Sequence, residues 1–183
     1  MKNFLVGLLT VLCVGFALGS ILYVTDIFDP TQIFNKTEEG TASFYVRFMD
    51  DFFIVDENGI VLRSSLNEPT DIPEIRDMYF SSLAAGEAAQ AADEDTLEYI
   101  KEVCTLLLKY DIYISYICVS DDELTLYLNN DLSVMLGENE DTDTKIKDLD
   151  SLYSVLIDYT GVLYMQDADT SGFGYTFKVS DGA

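Results

Sequence analysis

A chain of 183 residues has room for one domain of ordinary size and an appendage. Its 33 acidic against 10 basic residues leave a formal charge of −23, which argues against nucleic-acid or anionic-lipid binding through a basic patch. There is no histidine, which removes Ser-His-Asp and Cys-His catalysis, HExxH zinc chemistry and imidazole proton shuttling together.

Phe4 to Val24 is a run of 21 uncharged residues. As a helix it reaches about 31 Å, the apolar thickness of a bilayer. Ala17-Leu18-Gly19 resembles a signal-peptide cleavage site, but the apolar run continues through Ile21-Leu22-Tyr23-Val24. An uncleaved signal anchor is therefore the favoured reading. Leu12 before Cys13 makes a poor lipoprotein site. Lys2 and the free amine on one side, with Asp26 and Asp29 on the other, place the three-residue tail (1–3) in the cytoplasm. The remainder of the chain, beyond the anchor (4–24), carries 33 acids and 9 bases and is expected outside the cell membrane. Gly15 and Gly19 form a GxxxG pair that would let another helix approach, a motif often accidental in a glycine-rich apolar segment. Residues 25–43 read as a linker, with a glycosylation sequon at Asn35-Lys36-Thr37.

The outer domain, 44–179, begins with strands at 44–48, 52–56 and 60–64, the last two joined by an Asn58-Gly59 hairpin. Pro69 and Pro73 then predict that Ser64 to Asp77 leaves the sheet. From Ile75 to Ala92 the composition suggests a short helix followed by a loose loop. Leu97, Ile100, Cys104 and Leu107 recur at helical spacing over 95–110, with Asp93 or Asp95 as cap. Residues 112–119, 123–128 and 132–137 read as a three-stranded antiparallel meander. A second helix is expected over 144–159, with Ile146, Leu149, Leu152 or Tyr153, and Leu156 inward, Asp143 as N-cap and Gly161 as its stop. Two closing strands follow at 162–166 and 174–179, before a tail at 180–183. The result is an α+β fold: an N-terminal transmembrane helix, then a largely antiparallel β-sheet domain with two main packed helices.

The chemical candidates are weak. Asp167-Ala168-Asp169-Thr170-Ser171-Gly172 copies the opening of an EF-hand calcium loop, but the twelfth position is Lys178 and the flanks read as strands. Glu138, Glu140, Asp141 and Asp143 more simply suit the positive end of the following helix. A carboxylate-pair wall hydrolase has no specific signal among so many acids. Cys104 and Cys118 match no metal spacing; they could form a disulfide outside the cell, although isolated cysteines are often buried hydrophobes. No enzyme, cofactor, metal site or small-molecule substrate is expected.

The ordered series of elements is more informative than any motif. Asp56, Gly59 and Val61, then Pro73, then Val134, Leu136 and Gly137, then Lys145 or Lys147, succeed one another after a membrane anchor. Over Ala42 to Lys178 this resembles the extracytoplasmic β domain of the FtsQ/DivIB bacterial cell-division proteins. The departure is the segment between anchor and domain, too short for the POTRA domain that family members usually carry there. The resemblance implies a non-catalytic bitopic scaffold at the division septum. Its implied partners are small division proteins of the FtsB/DivIC and FtsL type, bound where a partner strand adds to the C-terminal strand. Here that strand is Gly174, Tyr175, Thr176, Phe177, Lys178 and Val179, and its local alternative is an edge merely protected by Lys178. Another alternative is an anchored envelope module of a different kind, calcium-dependent through Asp167, Asp169 and Ser171.

Overall fold

The computed structural model describes residues 40–128, 132–166 and 174–179. Outside them lie the apolar span with Gly15 and Gly19, the sequon, residues 129–131, the calcium-like stretch 167–172 and the tail 180–183. Among the described residues no helix is long and apolar enough to cross a membrane.

The expected hairpin forms from β1 (Ala42–Phe48), β2 (Asp51–Asp56) and β3 (Val61–Ser65). Its turn is fixed by Asp56, whose carboxylate accepts from the Asn58 and Ile60 amides at 2.9 and 2.7 Å. Gly59 comes next with φ +82°, a conformation that favours glycine.

The proline-containing segment overturns two expectations. It leaves the sheet only briefly, because β4 (Glu74–Arg76) returns and pairs in parallel with β1. Pro73 sits just outside this strand, where its missing N–H costs no ladder bond, and its carbonyl accepts from the Tyr45 amide at 2.9 Å. The expected short helix after Ile75 is absent. A two-stranded ribbon, β5 (Phe80–Ser82) and β6 (Gln90–Ala91), occupies that region. Positive φ at Asp77 and Gly86 breaks any helical path, while Phe80 and Ala89 are buried in the core.

Helix α1 (Glu94–Lys109) starts at Asp93, whose side chain accepts from the Thr96 amide at 3.1 Å. It buries Leu97, Ile100, Cys104 and Leu107, as the spacing predicts, and adds Tyr99, Val103 and Leu106. The meander comes next as β7 (Tyr116–Ser120), β8 (Glu123–Tyr127) and β9 (Leu132–Gly137), paired antiparallel. Helix α2 (Thr142–Leu156) is then shifted from its expected bounds. Asp141 holds the cap position and makes no side-chain cap bond, whereas Asp143 lies in the first turn. Tyr153, not Leu152, packs on the core. Gly161 does not stop this helix; it opens β10 (Gly161–Tyr164), which pairs with β11 (Thr176–Val179).

These strands build a nine-stranded sheet in the order β11-β10-β9-β8-β7-β4-β1-β2-β3. The sheet is mixed, with five antiparallel pairings and three parallel ones. β1–β4, β4–β7 and β9–β10 are parallel, the last two being joined through helix-containing crossovers that parallel neighbours require. The described residues thus form a sheet-dominated α+β fold with two helices.

One register row explains where the core sits. Val46, Ile75, Ile117, Leu126, Val134, Leu163 and Phe177 oppose one another across seven strands and share the helix-packed face. The adjacent row, Tyr45, Glu74, Tyr116, Tyr127, Ser133, Val162 and Lys178, lies on the other face. There Tyr116 and Tyr127 stack at 4.4 Å, with the Arg76 guanidinium 3.7 Å over Tyr116. Cys104 and Cys118 are both free. Burial pushes the Cys104 thiol up to about 12 and the Cys118 thiol up to about 11, so neither is primed as a thiolate.

Three of the residues behind the sequence resemblance, Leu136, Gly137 and Lys145, meet at the end of β9. Gly137 has φ +79°, and a side chain there would collide with Gln166, its Cβ falling 2.6 Å from that of Gln166. Lys145 of α2 is buried and donates from Nζ to the Leu136 carbonyl at 2.8 Å. Tyr99 donates to the Gly137 carbonyl at 3.1 Å. Burial lowers the Lys145 pKa, an effect opposed by Glu140, Asp141 and Glu138.

Candidate partner-docking edge

β11 is the terminal strand of the sheet. It pairs with β10 through Gly161–Val179, Val162–Lys178, Leu163–Phe177 and Tyr164–Thr176, and no described strand lies on its other side. An antiparallel strand in this position turns one row of backbone N–H and C=O groups away from its neighbour. The opposite edge of the sheet, β3, differs. Its first residue is covered: the Val61 amide donates to the Glu87 carbonyl at 2.9 Å, and the Gly86 amide to the Val61 carbonyl at 2.8 Å.

Local sequence sets the alternation of β11. Tyr175 and Phe177 pack against the core, while Thr176 and Lys178 are exposed. Tyr175 donates from its hydroxyl to Asp148 Oδ2 of α2 at 2.8 Å. Burial, followed by that carboxylate, pushes the tyrosine up to about 12. The Phe177 ring meets Tyr159 edge-on, with centroids 6.2 Å apart. On the other face the Lys178 ammonium lies 4.4 Å from the Tyr164 ring centroid. Gly174 precedes the strand at φ +46°, in open space.

Pairing with β10 depends on Gly161. Its φ is +152°, and a Cβ there would fall 2.2 Å from the Lys178 carbonyl oxygen. This glycine, expected as a helix stop, instead serves strand pairing. Its close approach to β11 is set by a neighbour seventeen positions away, and no local pattern signals it.

The acidic run takes its place elsewhere. Glu138 and Glu140 join Asp93, Asp95 and Asp122 around an open crevice of about 430 Å³, formed where the α1 N-terminus meets the loop after β9. Among the described residues no three acidic or cysteine groups are close enough together to hold a metal ion.

Comparison with protein families finds one described as "Cell division protein FtsQ/DivIB, C-terminal", matching residues 45–169. The match runs from within β1 to beyond β10 and ends before β11. Among solved structures, the major extracytoplasmic domain of the trans isomer of the bacterial cell-division protein DivIB from Geobacillus stearothermophilus is similar at 20% identity. The alignment covers 65% of this chain and 92% of that one, with a TM-score of 0.38. No curated protein matches.

Proposed function

Because the chain belongs to the FtsQ/DivIB family of cell-division proteins, we propose that it is a bitopic membrane scaffold of the division complex at the septum. In this reading residues 4–24 anchor it in the cell membrane and 25–43 tether the outer domain, 44–179, with the short tail 1–3 in the cytoplasm. The outer domain captures an extended segment of a small FtsB/DivIC- or FtsL-like protein, which pairs along Gly174 to Val179, that is β11 and the two residues before it. Gly15 and Gly19 offer a close-packing surface for another membrane helix. No catalytic step is assigned to any residue.

The observation that carries the docking site is the position of β11 at the end of the sheet, unpaired on one side among the described residues. Backbone groups supply affinity in strand addition, and alternating side chains supply selectivity. Thr176→Pro tests it, since proline removes a backbone donor and resists extension of the ladder. We expect crosslinking pull-down from growing cells to recover small bitopic division proteins with the wild-type chain, and recovery to fall at least tenfold with the variant. Circular dichroism checks that the fold survives. Undiminished recovery with an intact fold would defeat the edge-strand reading, and a wild-type pull-down without division proteins would defeat the scaffold reading.

A further inference from the structure

The side chains beside β11 specify what kind of segment fits there, an inference that rests on β11 being the docking edge. On α2, Asp148, Leu152, Val155 and Tyr159 recur every three or four residues and so line one flank of the helix and its C-terminal extension. One end of that flank touches β11 and the other the residue before it: the Tyr159 ring meets Phe177, and Asp148 accepts from Tyr175. Between them Leu152 is 36% and Val155 60% exposed; Tyr159 is 49% and Val179, on the strand itself, 60%. The helix thus carries an apolar strip alongside the unpaired edge. The opposite face of the strand is polar. There Lys178 has no carboxylate within ion-pair distance among the described residues, in a chain where acids outnumber bases more than three to one.

We propose that the segment docking on β11 is an amphipathic strand, with apolar residues toward α2 and a carboxylate toward Lys178. A strand added to an edge continues the existing pleat, so its alternate side chains inherit the two faces of β11. Those on the helix side cover Leu152, Val155 and Tyr159, surface that water otherwise contacts. One on the far side reaches the Lys178 ammonium. A helix laid on the strip alone would leave the backbone row of β11 unpaired, which favours the strand.

The test uses the full chain in detergent and fluorescein-labelled ten-residue peptides read by anisotropy. One peptide alternates valine with glutamate and a second alternates serine with glutamate. The valine peptide should bind at least tenfold more tightly than the serine peptide, because only it covers the apolar strip. Val155→Asp should weaken valine-peptide binding about tenfold, and Lys178→Glu about fivefold, the scale of one exposed charge pair. Thr176→Pro should abolish it. Equal affinity for the two peptides, or wild-type affinity in either Val155→Asp or Lys178→Glu, overturns the amphipathic pattern. Where Thr176→Pro alone loses binding, the edge reading stands and only the pattern falls. Where Thr176→Pro binds as the wild type does, the edge itself is wrong. Absence of binding to either peptide also overturns the pattern.

Discussion

Position 161 tolerates no side chain, since any Cβ would occupy the space of the Lys178 carbonyl oxygen. Gly161→Ala should therefore cost about 2 kcal/mol or more, through strain and a displaced β11. Gly174→Ala should cost only ~1 kcal/mol, because its positive φ is disfavoured for alanine but no atom stands within 4 Å. Urea unfolding of the two variants checks the order, and equal losses would refute it. Tyr175 gives a pH signature. Its pKa is raised from the ordinary value near 10 to about 12, and burial raises Tyr99 to about 12 as well. A raised pKa means that the folded state prefers the neutral phenol, so this stability is fully present below pH 10 and lost as pH rises toward 12. Cys104, raised from about 9 to about 12, extends the loss downward. The urea midpoint should thus fall steadily between pH 9 and 12. Tyr175→Phe should shallow that fall above pH 10, while costing ~1 kcal/mol at neutral pH for the lost bond to Asp148.

The elements most legible in the sequence are those whose information is local. Asp56 and Gly59 set the first hairpin within five residues, and Leu97, Ile100, Cys104 and Leu107 mark one helix face without help from the sheet. β4 was not legible. Glu-Ile-Arg is too short to show a period, and its pairing with β1 and β7 joins segments about 30 and 40 residues away. The same strand makes two of the three parallel pairings, and the third, β9–β10, depends on which strand β10 chooses as neighbour, so the antiparallel expectation missed both. Ile75 and Ile117, adjacent in register, both belong to the buried core. Ile117→Ala should cost about 3 kcal/mol, since the cavity opens between fixed neighbours. Val155→Ala, on the exposed flank of α2, should stay within ~0.5 kcal/mol. Chemical denaturation of the pair distinguishes core from surface, and a large loss at Val155 would mean that the flank is already covered in the isolated chain.

At the scale of the whole molecule, charge acts against compactness. A formal charge of −23 on 183 residues makes folding work against self-repulsion, which salt screens. Raising sodium chloride from about 10 mM to about 150 mM, where the Debye length falls from roughly 30 to 8 Å, should raise the urea midpoint. A lower midpoint at the higher salt would show that ion pairs such as Lys109–Asp143 outweigh the repulsion.

The sequence by itself determined the absence of histidine chemistry, the acidic surface, both helices, the meander and the order of elements that pointed to the family. Each of these is composition, or a pattern repeated within a few residues. Only the tertiary structure decided that β4 sits inside the sheet, that Gly161 serves β11 and that Asp148 and Tyr159 meet Tyr175 and Phe177. An edge is a property of which neighbour is missing. Strand pairing joins residues far apart in the chain, so no stretch of sequence carries that information locally.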